Sequence, residues 1–165
     1  NKSRMIAGYC YPWNSKNDKT QYDIFLKNNF KAQWNFSTTE FALNEDSFEQ
    51  IGCIHSTQGL EFEYVVVIIG LDMRYENGEW HYYRFNRQTR WDEIKSDTES
   101  KQEKMKYMLN AYRVLLTRAR AGMIICVPKG NSNKNSSGFW EDSTRLPEYY
   151  DGTYEYLKSL GLDEI

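Results

Sequence analysis

The sequence predicts an α/β domain built around a largely parallel sheet. Three short segments rich in β-branched and other apolar residues indicate buried strands, at residues 5–10, 64–70 and 123–127. Between the last two lies a long segment whose apolar residues recur every three or four positions, which indicates an amphipathic helix. Buried strands alternating with helices are typical of parallel sheets, because parallel neighbours need a crossover connection.

The first third of the chain predicts short strands joined by loops. The strand at residues 5–10 ends at a turn-forming proline, and residues 22–26 form a second short strand. Residues 28–50 mix aromatic and polar side chains without a sustained period, so we expect loops and one short helix there. Residues 51–55 form the next strand, and the polar turn at residues 56–60 ends it.

The strongest strand signal and a hairpin occupy the middle of the chain. Residues 64–70, Y-V-V-V-I-I-G, predict a central parallel strand covered on both faces. An Asn-Gly pair at 77–78 is a hairpin signal between predicted strands at residues 73–76 and 79–85. We interpret this hairpin as an insertion after the central strand, and the polar residues 86–100 as a surface excursion.

The last part of the chain predicts a long helix, a strand and a short helix. The long helix runs from about residue 100 to residue 121, and Gly122 is a natural stop for it. A buried strand follows at residues 123–127, and the Gly/Ser/Asn-rich residues 130–138 predict a flexible loop. Residues 154–160 form a last short helix.

Composition and charge exclude several classes of protein. The 165 residues carry 21 basic and 23 acidic side chains, a net charge of −2, which argues against nucleic-acid binding by bulk attraction. Aromatic residues make up 16% of the chain, so it is no disordered tail. No apolar run approaches the roughly 20 residues that a membrane span needs, so we expect no membrane partner.

The cysteines and histidines predict no metal centre. Cys10, Cys53 and Cys126 lie far apart in apolar stretches, so we expect buried, reduced thiols, which favours the cytoplasm. His55 and His81 are the only histidines, and they are too widely separated for a convincing metal site.

A phosphate-binding loop is absent from the sequence. No glycine is followed by lysine, so the pattern G-x-x-x-x-G-K-[ST] does not occur. The chain alone therefore cannot build that type of ATP site, and we expect it to be a piece of a longer protein.

Two segments carry residues suited to chemistry. In the first, the strand predicted to end at His55 leads into a polar turn with Ser56 and Thr57. Gly59 then permits a tight backbone before Glu61. Such a turn either offers hydroxyls and backbone N–H groups to a phosphate or is an ordinary strand-to-helix connection with a capping Ser or Thr. The spacing of these residues favours neither alternative over the other.

The second segment contains three arginines. A helix continuing to residue 121 places Arg113 and Arg120 together on one flank of the apolar stripe, with Arg118 on the opposite flank. An arginine at the rim of a buried stripe can reach across an interface while its stem packs. The alternative is a snorkelling surface residue or a salt-bridge partner.

These two segments resemble known helicase motifs. Residues 55–62, H-S-T-Q-G-L-E-F, followed by a hydrophobic strand, resemble motif V of superfamily 1 helicases. Residues 112–127, Y-R-V-L-L-T-R-A-R-A-G-M-I-I-C-V, resemble motif VI with its T-R-A triplet. With A-G-Y-C-Y-P-W near the start, they are similar to the C-terminal half of a bacterial family of uncharacterised ATP-binding proteins. That family groups with the helicase domain of group-3 Schlafen-like proteins, and the resemblance extends over residues 4–127.

The resemblance implies a RecA-like domain of the P-loop NTPase fold. We expect residues 1–165 to form a single second motor domain, with helices on both faces of its sheet, that completes an ATP site. Its implied partners are the N-terminal RecA-like domain of the same protein and single-stranded DNA or RNA. ATP with Mg²⁺ is the implied cofactor, bound mainly by that N-terminal domain.

The resemblance also assigns roles to individual residues. Arg118, the T-R-A arginine, is the implied arginine finger on the γ-phosphate, where a planar cation neutralises charge on the transferring group. The residues implied to approach the nucleotide are Gly59, Glu61, Gln58 and Arg113. Those implied to contact the single strand, or to couple it to the ATP site, are His55, Ser56 and Thr57. Gln58 stands where many relatives have Lys.

The match is incomplete, and alternatives remain. The second phosphate-contacting arginine of motif IV has no clear counterpart after A-G-Y-C-Y-P-W. A non-catalytic RecA-like module that binds protein or nucleic acid is the second interpretation. A metal nuclease built on Glu61, Glu63 and Asp72 is a third, disfavoured by their separation. The aromatic and basic insert at residues 74–100 either packs and is solvated or offers stacking surfaces to a single strand.

Overall fold

The computed structural model of the chain describes residues 3–8, 10–26, 30–37, 39–83, 100–128 and 146–165. Within these ranges the chain forms eight strands: β1 (Ser3–Ala7), β2 (Ile24–Phe25), β3 (Lys31–Trp34), β4 (Gln50–Gly52), β5 (Phe62–Ile68), β6 (Met73–Glu76), β7 (Glu79–Tyr82) and β8 (Ala119–Cys126). The same ranges contain three α-helices, α1 (Ile54–Thr57), α2 (Lys101–Leu116) and α3 (Pro147–Ser159), and two 3-10 turns, Asn14–Lys16 and Glu45–Glu49.

Six of these strands form one sheet in the order β2-β3-β4-β1-β5-β8. All neighbouring pairs are parallel except β2 with β3 at one edge. A single register row crosses the middle of the sheet, from Ile51 through Met5 and Val66 to Ile124. The predicted α/β architecture with a mainly parallel sheet is confirmed.

Each face of the sheet carries its own apolar cluster. On one face, Met108, Tyr112 and Leu115 of α2 pack in a cluster with strand residues that include Ile6 and Val67. The cluster on the opposite face contains Ala7, Cys10, Tyr11, Ile24, Ala32, Trp34, Ile51, Cys53 and Ile68. Side chains from the irregular stretch between β1 and β2 therefore pack this second face, where the resemblance implies a helical layer.

The strongest predicted strand is β5, an inner strand between β1 and β8. Val65, Val67 and Ile68 are buried, but Tyr64 near the start of the strand is 59% exposed. The predicted cover on both faces is therefore wrong for the first part of β5. Gly122 on β8 lies beside Tyr64 in register, and a Cβ atom at Gly122 would come within 3.1 Å of the tyrosine ring.

Three predictions before β5 need correction. The strand predicted at residues 5–10 begins and ends earlier, as β1 at Ser3–Ala7. Loops and one short helix are expected at residues 28–50. The 3-10 turn Glu45–Glu49 takes the place of that helix, but the stretch also contains β3. Residues 30–36, F-K-A-Q-W-N-F, alternate apolar and polar side chains, which is a strand signal that the prediction of loops missed. The strand predicted to run through His55 is wrong at its end, because β4 ends at Gly52 and the chain turns into α1.

The long helix is confirmed, but α2 is shorter than predicted. Ser100 caps its start: the Ser100 hydroxyl accepts a hydrogen bond from the Glu103 N–H, and the Ser100 N–H donates to the Glu103 carboxylate. The predicted stop at Gly122 is wrong, because the helix ends at Leu116 and Gly122 lies within β8. Ala and Arg favour helix, but the ladder with β5 overrides that local preference.

The β6–β7 hairpin is confirmed, and it packs on α3. Asn77 and Gly78 have φ angles of 53° and 86°, the left-handed conformations that this two-residue turn requires. The Tyr75 N–H donates to the Thr153 hydroxyl oxygen at 3.0 Å, and the Tyr75 ring stacks on Tyr156 with ring centroids 3.9 Å apart. This part of the aromatic insert is therefore used for packing.

Two predicted segments, residues 86–99 and 130–138, lie outside the described residues. The last helix is confirmed and begins earlier than predicted, at Pro147. Among the helices of the described ranges, none combines the length and the apolar character needed to cross a membrane.

Candidate functional site

The turn after β4 is built from buried hydroxyl groups. The Cys53 N–H donates to both the Ser56 hydroxyl oxygen, at 2.9 Å, and Asn35 Oδ1, at 3.1 Å. The Ser56 and Thr57 hydroxyls both donate to the Cys53 carbonyl oxygen, at 3.0 and 2.9 Å. Ser56 is 2% exposed and Thr57 is 0% exposed, so both hydroxyls point into the protein and shape the start of α1.

The surface of this turn is formed by the residues around those two hydroxyls. His55, Gln58, Gly59 and Glu61 are exposed. Gly59 has φ +79°, and no atom lies within 4 Å of the position that a Cβ would take. Glycine is needed at this position for its backbone conformation rather than for close packing. Of the three residues expected to face a single strand, His55 is the one whose side chain lies at the surface.

Arg118 joins the two predicted motif segments. Its guanidinium donates through Nη1 to the Leu60 carbonyl oxygen at 3.2 Å, and through Nε to the Val114 carbonyl oxygen at 2.9 Å. Nη2 donates to the Thr117 hydroxyl oxygen at 3.1 Å. The Arg118 carbonyl oxygen in turn accepts a hydrogen bond from the Phe62 N–H at 2.9 Å. The residues before β5 and the residues before β8 therefore meet at the amino ends of two adjacent parallel strands.

The prediction that Arg113 and Arg120 lie together on one flank of a helix is wrong. Because α2 ends at Leu116, Arg120 lies on β8 and not on the same helix face as Arg113. Arg120 instead approaches two carboxylates at the start of β5, with nitrogen–oxygen distances of 3.9 Å to both Glu61 and Glu63. Its side chain is 64% exposed, so this ion pair contributes little to stability. Arg113 is exposed on α2.

A buried polar cluster anchors α2 to the opposite, carboxyl ends of β1 and β5. The Tyr112 hydroxyl donates to Asp72 Oδ1 at 2.8 Å and accepts from the Gly70 N–H at 3.1 Å. Burial raises the pKa of Tyr112 and of Cys10 well above their usual values, and the Asp72 carboxyl adds to both shifts. A Cβ atom at Gly8 would lie 3.2 Å from both Asp72 and Tyr112 oxygens, so this packing favours glycine.

Asn35 is a residue of this site that the sequence pattern misses. It follows β3 and is fully buried, and its side chain reaches the turn after β4. Its signal in the sequence, a single Asn between Trp and Phe, has no distinguishing feature. Because the contact joins positions 18 and 21 residues apart, only the pairing of β3 with β4 reveals it.

A groove of about 990 Å³ opens elsewhere on the domain, lined by apolar side chains that include Met5, Tyr64, Val66 and Ile124. Its lining includes no residue from the turn at 55–61 and does not include Arg118. The candidate site is therefore the surface around that turn and Arg118. In the part of the chain that the structure describes, no group of three or more His, Cys, Asp or Glu side chains is placed to hold a metal ion.

Comparison with known proteins assigns the family. The model of the family described as Schlafen group 3, DNA/RNA helicase domain, matches residues 1–129, and the chain belongs to that family. The chain is also similar to an uncharacterised protein of Saccharomyces cerevisiae, with 24% identity over 130 residues that cover 74% of this chain and 28% of the yeast protein. It thus spans little more than a quarter of that relative's length. No solved structure matches the chain.

Proposed function

We propose that this chain is the C-terminal RecA-like motor domain of a nucleic-acid-dependent ATPase, a DNA or RNA helicase or translocase. Membership of a helicase-domain family supports the class. The observation that carries the specific role is the hydrogen bond between Arg118 and the Leu60 carbonyl oxygen, which brings an arginine beside the turn that contains Gly59 and Glu61. Residues in two distant parts of the sequence thereby form one surface.

In this role, Arg118 acts on ATP bound by an N-terminal RecA-like domain of the same protein. Closure of the two domains brings the guanidinium to the γ-phosphate, where its planar cation stabilises charge on the transferring phosphoryl group. The exposed Gly59 lets the backbone approach the nucleotide, and Gln58, Glu61 and Arg113, which are also exposed, contribute further contacts. Mg²⁺ neutralises phosphate charge, and its ligands are assigned to the N-terminal domain, since the described residues here offer no carboxylate cluster.

The turn also provides the contact to single-stranded DNA or RNA. His55 supplies the exposed side chain, while Ser56 and Thr57 act through the turn that their hydroxyls hold in shape. Because Leu60 follows this turn directly, strand binding at His55 is coupled to Arg118 through a few backbone bonds and one hydrogen bond.

The test is ATP turnover by the full-length protein, with and without single-stranded DNA and RNA. We expect one of them to stimulate turnover, and Arg118→Ala to reduce kcat by about 10³-fold or more while ATP binding is retained. Lys106→Ala, an exposed cation on α2, is the matched control and leaves turnover unchanged. Stimulated, wild-type-like turnover in Arg118→Ala would contradict the proposed role of Arg118.

A second candidate is a non-catalytic RecA-like module that binds protein or nucleic acid. It is favoured by the internal partners of Arg118: three of its nitrogens donate to groups of its own domain, so packing alone can explain the residue. A full-length protein that binds single strands but hydrolyses no ATP, with or without them, would favour this module over the motor.

A further inference from the structure

Asn35 lies at the centre of a hydrogen-bonded network behind the candidate site. Its N–H donates to the Ile51 carbonyl oxygen at 3.0 Å, which extends the β3–β4 ladder by one bond. Its side-chain oxygen accepts from the Cys53 N–H at 3.1 Å, and it lies 3.3 Å from the Ser56 hydroxyl, whose single proton has the Cys53 carbonyl oxygen as its shorter acceptor at 3.0 Å. Its side-chain nitrogen donates to the Ser37 carbonyl oxygen at 3.1 Å. One buried carboxamide thus accepts from one backbone N–H, contacts one hydroxyl and donates to one carbonyl oxygen.

The turn that Asn35 holds has little stability of its own. Helix α1 has only four residues, and so short a helix is unstable in isolation because nucleation costs more than its few bonds return. Its first turn is fixed at Cys53, where the N–H is shared between the Ser56 hydroxyl and Asn35. A loss of either acceptor weakens the start of α1, and with it the placement of the exposed His55 and Gln58.

We infer that Asn35 is a positioning residue that fixes the turn at residues 53–59 and thereby sets how strongly the candidate site responds to nucleic acid. This inference rests on the proposed function, because the response is nucleic-acid-stimulated ATP turnover. Asn35 is fully buried, so it acts through its contacts with Cys53 and Ser56. Its loss therefore lowers the stimulated rate by more than the unstimulated rate.

The decisive variant is Asn35→Leu in the full-length protein. Leucine matches the asparagine in size but offers no hydrogen-bonding group, so the Cys53 N–H loses one of its two acceptors. We expect the ratio of stimulated to unstimulated turnover to fall about tenfold, the effect of one buried hydrogen bond.

Thr153→Val is the matched control for stability. It also removes one buried side-chain acceptor, that of the Tyr75 N–H, but at the contact between α3 and the β6–β7 hairpin. We expect Thr153→Val to lower the unfolding midpoint as Asn35→Leu does and to leave the stimulation ratio unchanged. Amide hydrogen exchange at residues 53–60 is faster in Asn35→Leu than in wild type and unchanged in Thr153→Val.

The outcomes separate this inference from the proposed function. If wild type is stimulated and Asn35→Leu matches Thr153→Val in both ratio and exchange, the role of Asn35 is overturned and the motor proposal stands. If wild type neither hydrolyses ATP nor responds to single strands, the motor proposal fails and this inference fails with it. Should Asn35→Leu not fold, Ser56→Ala removes the other acceptor of the Cys53 N–H, and an unchanged ratio in Ser56→Ala overturns the inference.

Discussion

The guanidinium of Arg118 donates a hydrogen bond to the backbone carbonyl oxygen of Leu60, with 3.2 Å between nitrogen and oxygen. These residues lie 58 positions apart, one at the junction of α2 and β8 and the other just before β5. The same guanidinium also binds Val114 and Thr117 of its own segment. The turn before β5 is therefore in direct contact with Arg118.

Gly59→Ala tests whether the backbone of that turn controls Arg118. Gly59 has φ +79° with open space around it, so the added methyl group costs about 1–2 kcal/mol through backbone conformation alone. Gly161→Ala is the matched control, because Gly161 has φ +81° and equally open space after α3. We expect both variants to lose similar stability in urea unfolding, and Gly59→Ala alone to reduce stimulated ATP turnover. Equal stimulated ATP turnover in the two variants would contradict the claim that the backbone at Gly59 controls Arg118.

Tyr112→Phe tests the buried anchor of α2. The change removes the hydroxyl that donates to Asp72 and accepts from the Gly70 N–H, both inside the protein. We expect the free energy of unfolding to fall by about 2–3 kcal/mol, since buried partners are left unsatisfied. Tyr107→Phe, on the same helix but 51% exposed, is the control and changes stability little. Equal urea midpoints for the two variants would contradict the anchoring role.

Stability should decline on the alkaline side of neutrality. Burial raises the pKa of Cys10, Tyr11 and Tyr112 above their usual values of 9.0 for the thiol and 10.0 for the hydroxyls. At a pH below those values, the three groups are protonated in both the folded and the unfolded chain. Their contribution to the free energy of unfolding is then fully present. As pH rises above them, the unfolded chain releases protons that the folded chain retains, so the free energy of unfolding falls.

The measurement for this pH dependence is urea unfolding between neutral pH and the alkaline limit of the fold. We expect the decline to begin near 9.0, the usual pKa of a thiol, and Cys10→Ala to make its first part shallower. A free energy of unfolding that stays constant through that range would contradict the assigned shifts.

The sequence predicts those parts of the fold whose signal is local. Strand β5 follows from an unbroken run of β-branched residues, and the hairpin follows from Asn77 and Gly78, whose left-handed φ angles are observed. The end of α2 could not be predicted in the same way. Residues 119–121 favour helix locally, and only pairing with β5 draws them into a strand.

The residues of the candidate site also differ in whether a local sequence signal predicts them. The order of the two segments and their resemblance to helicase motifs single out Arg118 and the turn at Gly59, which the structure brings into contact through Leu60. The inward direction of Ser56 and Thr57 could not be predicted, because capping and phosphate-binding turns use the same residues. Asn35 could not be predicted either, since its role depends on strand pairing.

The most direct test of the account is the binding of a transition-state analogue, ADP with aluminium fluoride and Mg²⁺, to the full-length protein. An arginine finger stabilises the transferring phosphoryl group much more than the bound nucleotide. We predict that Arg118→Ala binds ADP as wild type does but binds the analogue about 10³-fold more weakly. Equal affinity of Arg118→Ala and wild type for the analogue, in a wild type that hydrolyses ATP, would contradict the assignment of Arg118 as the finger.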